Sequence, residues 1–150
     1  MDYEFFMEQA YLQALQAKEI NEVPIGCVIV HENQIIATGF NERNTKKNVL
    51  CHGEITAINQ ACNYLGDWRL EGCTMFVTLE PCPMCTGAII QARMERLVYG
   101  ANSPKAGSVF SVASMLDNPL YNHKVEVVQG VLGSKCGQLV KDFFLSLRKN

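Results

Sequence analysis

Residues 73–99 read CTMFVTLEPCPMCTGAIIQARMERLVY, and the order of patterns inside them decides the fold. Cys73 to Leu79 is a short apolar strand, Cys82 to Arg93 reads as a helix, and Arg96 to Tyr99 is another strand. A strand, a helix and a strand in succession imply a crossover connection, and therefore a parallel portion of the sheet. Upstream, Ile25 to His31 and Gln34 to Phe40 are rich in β-branched residues and only Glu32-Asn33 separates them. That spacing predicts a hairpin, so the sheet begins antiparallel.

Working outward, residues 3–18 place Phe6, Ala10, Leu12, Ala14 and Ala17 among Glu, Gln and Lys without Gly or Pro, which predicts an amphipathic helix that Pro24 ends. A polar loop, Asn41 to Asn48, leads to a second helical pattern from about Gly53 to Tyr64. Its apolar stripe is Ile55, Ala57, Ile58 and Ala61, and Gly66 supplies its stop. Lys124 to Val128 completes the strands, and Ser134 to Leu147 reads as a closing helix with Ser134 as its cap. The expected fold is α/β, a three-layer helix-sheet-helix sandwich on a roughly five-stranded mixed sheet. Ala101 to Tyr121, with two prolines and several small residues, is the least regular stretch, and loops of that length are often functional.

The 150 residues are 48% hydrophobic and 19% charged, which suits a single domain over 1–150 with a full core and no linker. No internal repeat or low-complexity segment interrupts it. The opening stretch carries Asp2, Glu4 and Glu8 where a secretory leader would be basic, and no apolar run approaches the ~18 residues of a membrane span. A soluble, cytoplasmic protein is expected. The seven cysteines are odd in number and two of them form a C-x-x-C pair, so reduced thiols are expected rather than disulfides. Cys27, Cys62, Cys73 and Cys136 fall in apolar or helical patterns, where a free cysteine behaves as a small hydrophobe.

The net charge of −2 offers no sequence-wide basic footprint for nucleic acid. The charge is nevertheless uneven. Residues 1–35 hold six acids against Lys18 alone, and residues 36–150 hold twelve Lys and Arg against nine acids. A locally basic face is compatible with that distribution, and so are scattered solvated charges.

Two local signals share one architecture. His52-Gly53-Glu54 opens one predicted helix, and Pro81-Cys82-Pro83-Met84-Cys85 opens the next. Cysteines three apart in a first helical turn lie on one face, so both sulfurs reach a single ion, and the helix N-terminus favours their thiolates. With His52 as third ligand the set suits tetrahedral zinc, with a fourth position for water. Glu54, two residues after the histidine, is placed to move protons rather than to ligate. A lone C-x-x-C is also a structural zinc half-site or a redox pair. A structural site wants four protein ligands, and Cys51 next to His52 tends to point away from it; a redox pair wants no upstream histidine. The H-x-E and P-C-x-x-C pairing is that of zinc nucleobase deaminases.

Around these motifs stand Glu22-Val23-Pro24-Ile25-Gly26, Gly39-Phe40-Asn41, Trp68-Arg69-Leu70, Val77 to Cys82, Gly87-Ala88, Tyr99-Gly100-Ala101, Asn122-His123 and Asp142-Phe143-Phe144. On these residues the chain resembles, over nearly its whole length, the bacterial tRNA-specific adenosine deaminases of the cytidine-deaminase-like fold. The resemblance implies one zinc ion (Zn2+) per subunit, a homodimer, and a tRNA anticodon loop as partner. The reaction it implies is hydrolysis of the wobble adenosine to inosine by zinc-bound hydroxide, with Glu54 as proton shuttle. It also implies that Asn41 hydrogen-bonds the base, that Val23, Pro24 and Ile25 wall its pocket, and that Lys105, Asn122, Phe144 and Arg148 lie near the loop. Read without the family, Asn41 is a turn residue, Lys105 a solvated charge and Phe144 part of a helix's core stripe.

The chain departs from the family in three places. Val49-Leu50-Cys51-His52-Gly53-Glu54 lacks the usual proline and puts a glycine at the helix entrance, which predicts a looser loop. Asn102-Ser103 stands where many members carry an acidic residue. Pro83 makes a CPMC motif common among free-base deaminases. Two rival functions follow: a deaminase of a free base or nucleotide (guanine, cytosine or deoxycytidylate), and a zinc-stabilised RNA-binding module without catalysis.

Overall fold

The computed structural model describes residues 1–148. In chain order the elements are α1 (Tyr3–Glu19), β1 (Gly26–His31), β2 (Gln34–Phe40), α2 (Arg43–Lys46), α3 (Gly53–Leu65), β3 (Cys73–Leu79), α4 (Pro83–Gln91), β4 (Arg96–Ala101), a single 3-10 turn at Met115–Asp117, β5 (Glu126–Gln129) and α5 (Gly133–Arg148). The five strands lie in the order β2-β1-β3-β4-β5. β1 pairs antiparallel with both β2 and β3, whereas β3, β4 and β5 run parallel. The mixed α/β sandwich expected from the 73–99 segment is the fold observed.

Alternation along the strands splits the core in two, because successive side chains leave opposite faces of a sheet. Cys27, Ile29, Met75, Val77, Leu97 and Tyr99 meet Ala57 and Ala61 of α3 and Ile89 of α4 on one face. Val28, Val30, Phe76 and Val98 meet Phe6, Met7 and Ala10 of α1 and Cys136 of α5 on the other. Each large side chain so buried contributes on the order of 1.5–3 kcal/mol. Both turn residues of the hairpin, Glu32 and Asn33, are left-handed, the conformation that matches the twist of two strands joined by two residues. Among the described residues no helix is long and apolar enough to cross a membrane.

Several details differ from expectation. Leu12 faces solvent, and Met7 takes its place in the buried stripe of α1. The loop 41–48 contains the short helix α2, whose third residue, Thr45, donates its N–H to Glu22 Oε2 at 2.6 Å. α4 ends at Gln91, because Arg93 turns left-handed. β5 begins at Glu126, and Ser134 lies inside the first turn of α5 rather than capping it. Gly53 does not loosen the entrance to α3: a Cβ there would stand 3.0 Å from the Cα of Phe40, so the glycine lets α3 approach β2 closely.

Candidate active site

α3 and α4 pack on the same sheet face, and their entrances converge. His52 is the N-cap residue of α3 and Cys82 that of α4, with Pro83 in the first turn and Cys85 one turn in. His52 Nδ1 lies 3.7 Å from Cys82 Sγ and 3.5 Å from Cys85 Sγ, and the three donor atoms fall within 4.8 Å of one another. Zinc bonds of about 2.3 Å to sulfur and about 2.0–2.1 Å to nitrogen, at tetrahedral angles, separate a sulfur from a nitrogen by about 3.6 Å. The donor set therefore fits zinc by distance as well as by chemistry. No other His, Cys, Asp or Glu among the described residues joins the cluster, and Cys51 stays outside it.

These groups shift one another's protonation. Cys82 is pulled down to about 4, chiefly by the hydrogen bond from Cys85 and, against the effect of burial, by His52. Cys85, the donor to that thiolate and itself buried, is pushed up, and His52 is raised first by its hydrogen bond to Cys82. The set thus favours a thiolate at Cys82 and strengthens the hold of Cys85 and His52 on their protons. A cation entering it displaces protons from the thiol and the imidazole. Glu54 is 4% exposed, and burial raises its carboxyl above the ordinary range, partly offset by its own backbone N–H and by His52. A carboxyl whose hold on its proton is strengthened by burial is suited to proton transfer.

From this point a cleft of about 1380 Å³ runs along α5. It exceeds the ~300–1,000 Å³ of small-molecule pockets. Asn41, Val23, Ile25, Lys105, Phe144 and Arg148 line it with His52 and Glu54. Pro24 is buried behind that lining, and Asn122 is exposed outside it. Asn41 donates from Nδ2 to the Val23 carbonyl at 3.2 Å and accepts the Arg43 N–H at 3.1 Å, which leaves one N–H and one lone pair of its amide for a ligand.

Sequence reasoning missed Arg43, Lys141 and Glu80. Arg43 and Lys141 line the cleft, where Glu54 is the single acid against Arg43, Lys105, Lys141 and Arg148. None of these four cations belongs to an ion pair among the described residues. The spacing of Lys141, Phe144, Leu145 and Arg148 marks one face of a helix and is the signal that would have found Lys141.

The fold and the cluster at the two helix entrances define a deaminase, and the family of MafB19-like deaminases matches residues 1–148. A tRNA-specific adenosine deaminase of Bacillus subtilis (strain 168) is 46% identical over 97% of this chain and 91% of its own. A solved structure from work on A-to-I editing by tRNA:A34 deaminases at the wobble position has a TM-score of 0.86 at 41% identity, covering 90% of this chain and 98% of its own. A guanine deaminase from Bacillus subtilis superposes less well, with a TM-score of 0.66 at 30% identity, covering 100% of this chain and 96% of its own. The chain belongs to the tRNA-specific adenosine deaminase family of enzymes.

Proposed function

We propose that the chain hydrolyses adenosine to inosine at the wobble position of a tRNA anticodon loop, with zinc held by His52, Cys82 and Cys85. The observation that carries the substrate is the cleft: four cations against one acid, on a chain of net charge −2, in a groove that opens from the cluster. A single-stranded loop tracks such a groove through its phosphates while one base enters the pocket.

When bound, zinc supplies a Lewis acid that brings the pKa of water toward neutrality. Glu54 takes a proton from the attacking water and passes it to ring N1 as the oxygen adds at C6. It then moves a second proton to the amino group, the C6–N bond breaks, and ammonia leaves inosine behind. Asn41 directs its remaining amide valences to the base, with Val23 and Ile25 as the wall around it and Pro24 supporting them from behind. Lys105, Phe144 and Arg148, joined by Arg43 and Lys141, serve the flanking nucleotides, and Asn122 extends that surface beyond the cleft.

We further propose that the enzyme is a homodimer acting in the cytoplasm, where tRNA is its partner. Exposed apolar side chains at Phe110, Val112 and Leu120, the last 87% exposed, support a covered face. The free-base reading retains one observation in its favour, the CPMC motif created by Pro83.

The test is a substrate panel: an anticodon stem-loop with wobble adenosine against free adenosine, guanine, cytosine and deoxycytidylate, with sedimentation of the same preparation reading the dimer. Inosine should form in the stem-loop, and Glu54→Ala should lower turnover by roughly 10²–10⁴-fold or more with zinc content unchanged. Turnover of guanine alone would overturn the RNA reading. Stem-loop binding without turnover in the wild type would leave only the non-catalytic module.

A further inference from the structure

One wall of the cleft, residues 102–106, belongs to neither helix nor strand, and its anchor is a single buried carboxylate. Glu80 follows β3, two residues before Cys82, and is 3% exposed. Its Oε2 accepts the backbone N–H groups of Val109 (3.1 Å), Phe110 (2.7 Å) and Ser111 (2.9 Å). Its Oε1 accepts the N–H of Ser103 (3.0 Å) and the hydroxyl of Ser111. No cation pairs with it among the described residues, so amide dipoles and one hydroxyl balance its charge.

The surrounding loop is shaped for this carboxylate. A Cβ at Gly107 would fall on the Glu80 carboxyl carbon and oxygens, so a larger residue there would displace them. Gly107 N–H closes a turn on the Ser103 carbonyl at 2.9 Å, and Ser108 N–H reaches the Pro81 carbonyl at 2.9 Å. Five donors occupy a group with about four lone-pair sites, which leaves Glu80 no capacity to act as a base itself. The zinc donors and Glu54 stand on α3 and α4, whereas Ser103, Pro104 and Lys105 meet the cleft farther along the loop.

We propose that Glu80 is a positioning residue for the RNA substrate, its carboxylate holding residues 103–111 in the shape of the cleft wall and so setting how tightly the anticodon loop binds. The inference rests on the RNA reading above. Loss of the carboxylate removes binding made equally in ground and transition states, which raises KM and spares kcat.

The experiment compares wild type, Glu80→Gln, Gly107→Ala and Ser111→Ala on the stem-loop, with zinc content and amide hydrogen exchange measured for each. Glu80→Gln should raise KM about tenfold or more with kcat within about threefold. Its zinc should stay in place, and amides 103–111 should exchange faster while those of β3 and β4 do not. Gly107→Ala should reproduce this with Glu80 intact, and Ser111→Ala should do so more weakly. An unchanged KM in folded Glu80→Gln overturns the proposal, as does a loss of zinc and kcat at constant KM, which would assign Glu80 to the metal segment. If Glu80→Gln does not fold, the other two variants decide, and an unchanged KM in both overturns it. A wild type inactive on the stem-loop fails at the earlier step and sinks the RNA reading itself.

Discussion

Glu54 and Glu80 are both buried carboxyls near the same ion site, and their surroundings push them in opposite directions. Burial dominates at Glu54 and raises it. At Glu80 burial also raises, but the Ser111 hydroxyl and the N–H groups of Ser111, Ser103 and Phe110 outweigh it and the carboxyl falls below its ordinary value of 4.5. The folded chain thus binds this proton less readily than the unfolded chain. The stability that follows is full above the ordinary value and drains away as pH drops through the lower, folded one. Melts at stepped pH should show the Tm gap between wild type and Glu80→Gln narrowing as pH falls through and below the ordinary carboxyl value of 4.5. A gap that does not change with pH would contradict this account. That His52, Glu54, Cys82 and Cys85 come together was legible in the sequence because spacings of two and three residues at two helix starts announce it. Glu80 lies in the same motif and was not legible, since its partners stand 23 to 31 residues downstream and only the folded loop brings them back.

The layer formed by α1 depends on one close approach. A Cβ at Gly26, at the start of β1, would overlap the Ala10 carbonyl oxygen and the Ala14 nitrogen, both backbone atoms that cannot swing aside. Gly26→Ala should therefore cost about 1–3 kcal/mol through overpacking, seen as a lower urea midpoint at an unchanged slope. A neutral result would mean that α1 rides on the sheet more loosely than its buried stripe of Phe6, Met7, Ala10 and Ala14 suggests. The long elements were readable because a stripe or an alternation repeats several times within each. α2 was not, since four residues are too few for any period to show, and it is held by Glu22 from outside the segment. The left-handed turn at Arg93 that cuts α4 short likewise has no glycine to announce it.

On the scale of the molecule, the net charge and the charge of the cleft have opposite signs. Arg43, Lys105, Lys141 and Arg148 are spread over more than a hundred residues of chain and meet only along the cleft, which is why composition pointed away from nucleic acid. If each meets a phosphate of a single strand, log(kcat/KM) on the stem-loop should fall with log salt at about −0.7 per contact, so with a slope approaching about −3. Arg43→Ala and Lys141→Ala should each flatten the slope by about 0.7. A slope near zero would place the RNA elsewhere. The site also joins parts of the chain that are distant in sequence. His52 and Cys82 begin two helices 30 residues apart, and neither makes a side-chain capping hydrogen bond. An ion gripped by both would tie these positions as a disulfide would, with no oxidised pair required. Scarcity of the metal would then shorten the lifetime of each molecule against proteases as well as silence it, so that its abundance would follow the supply of the ion.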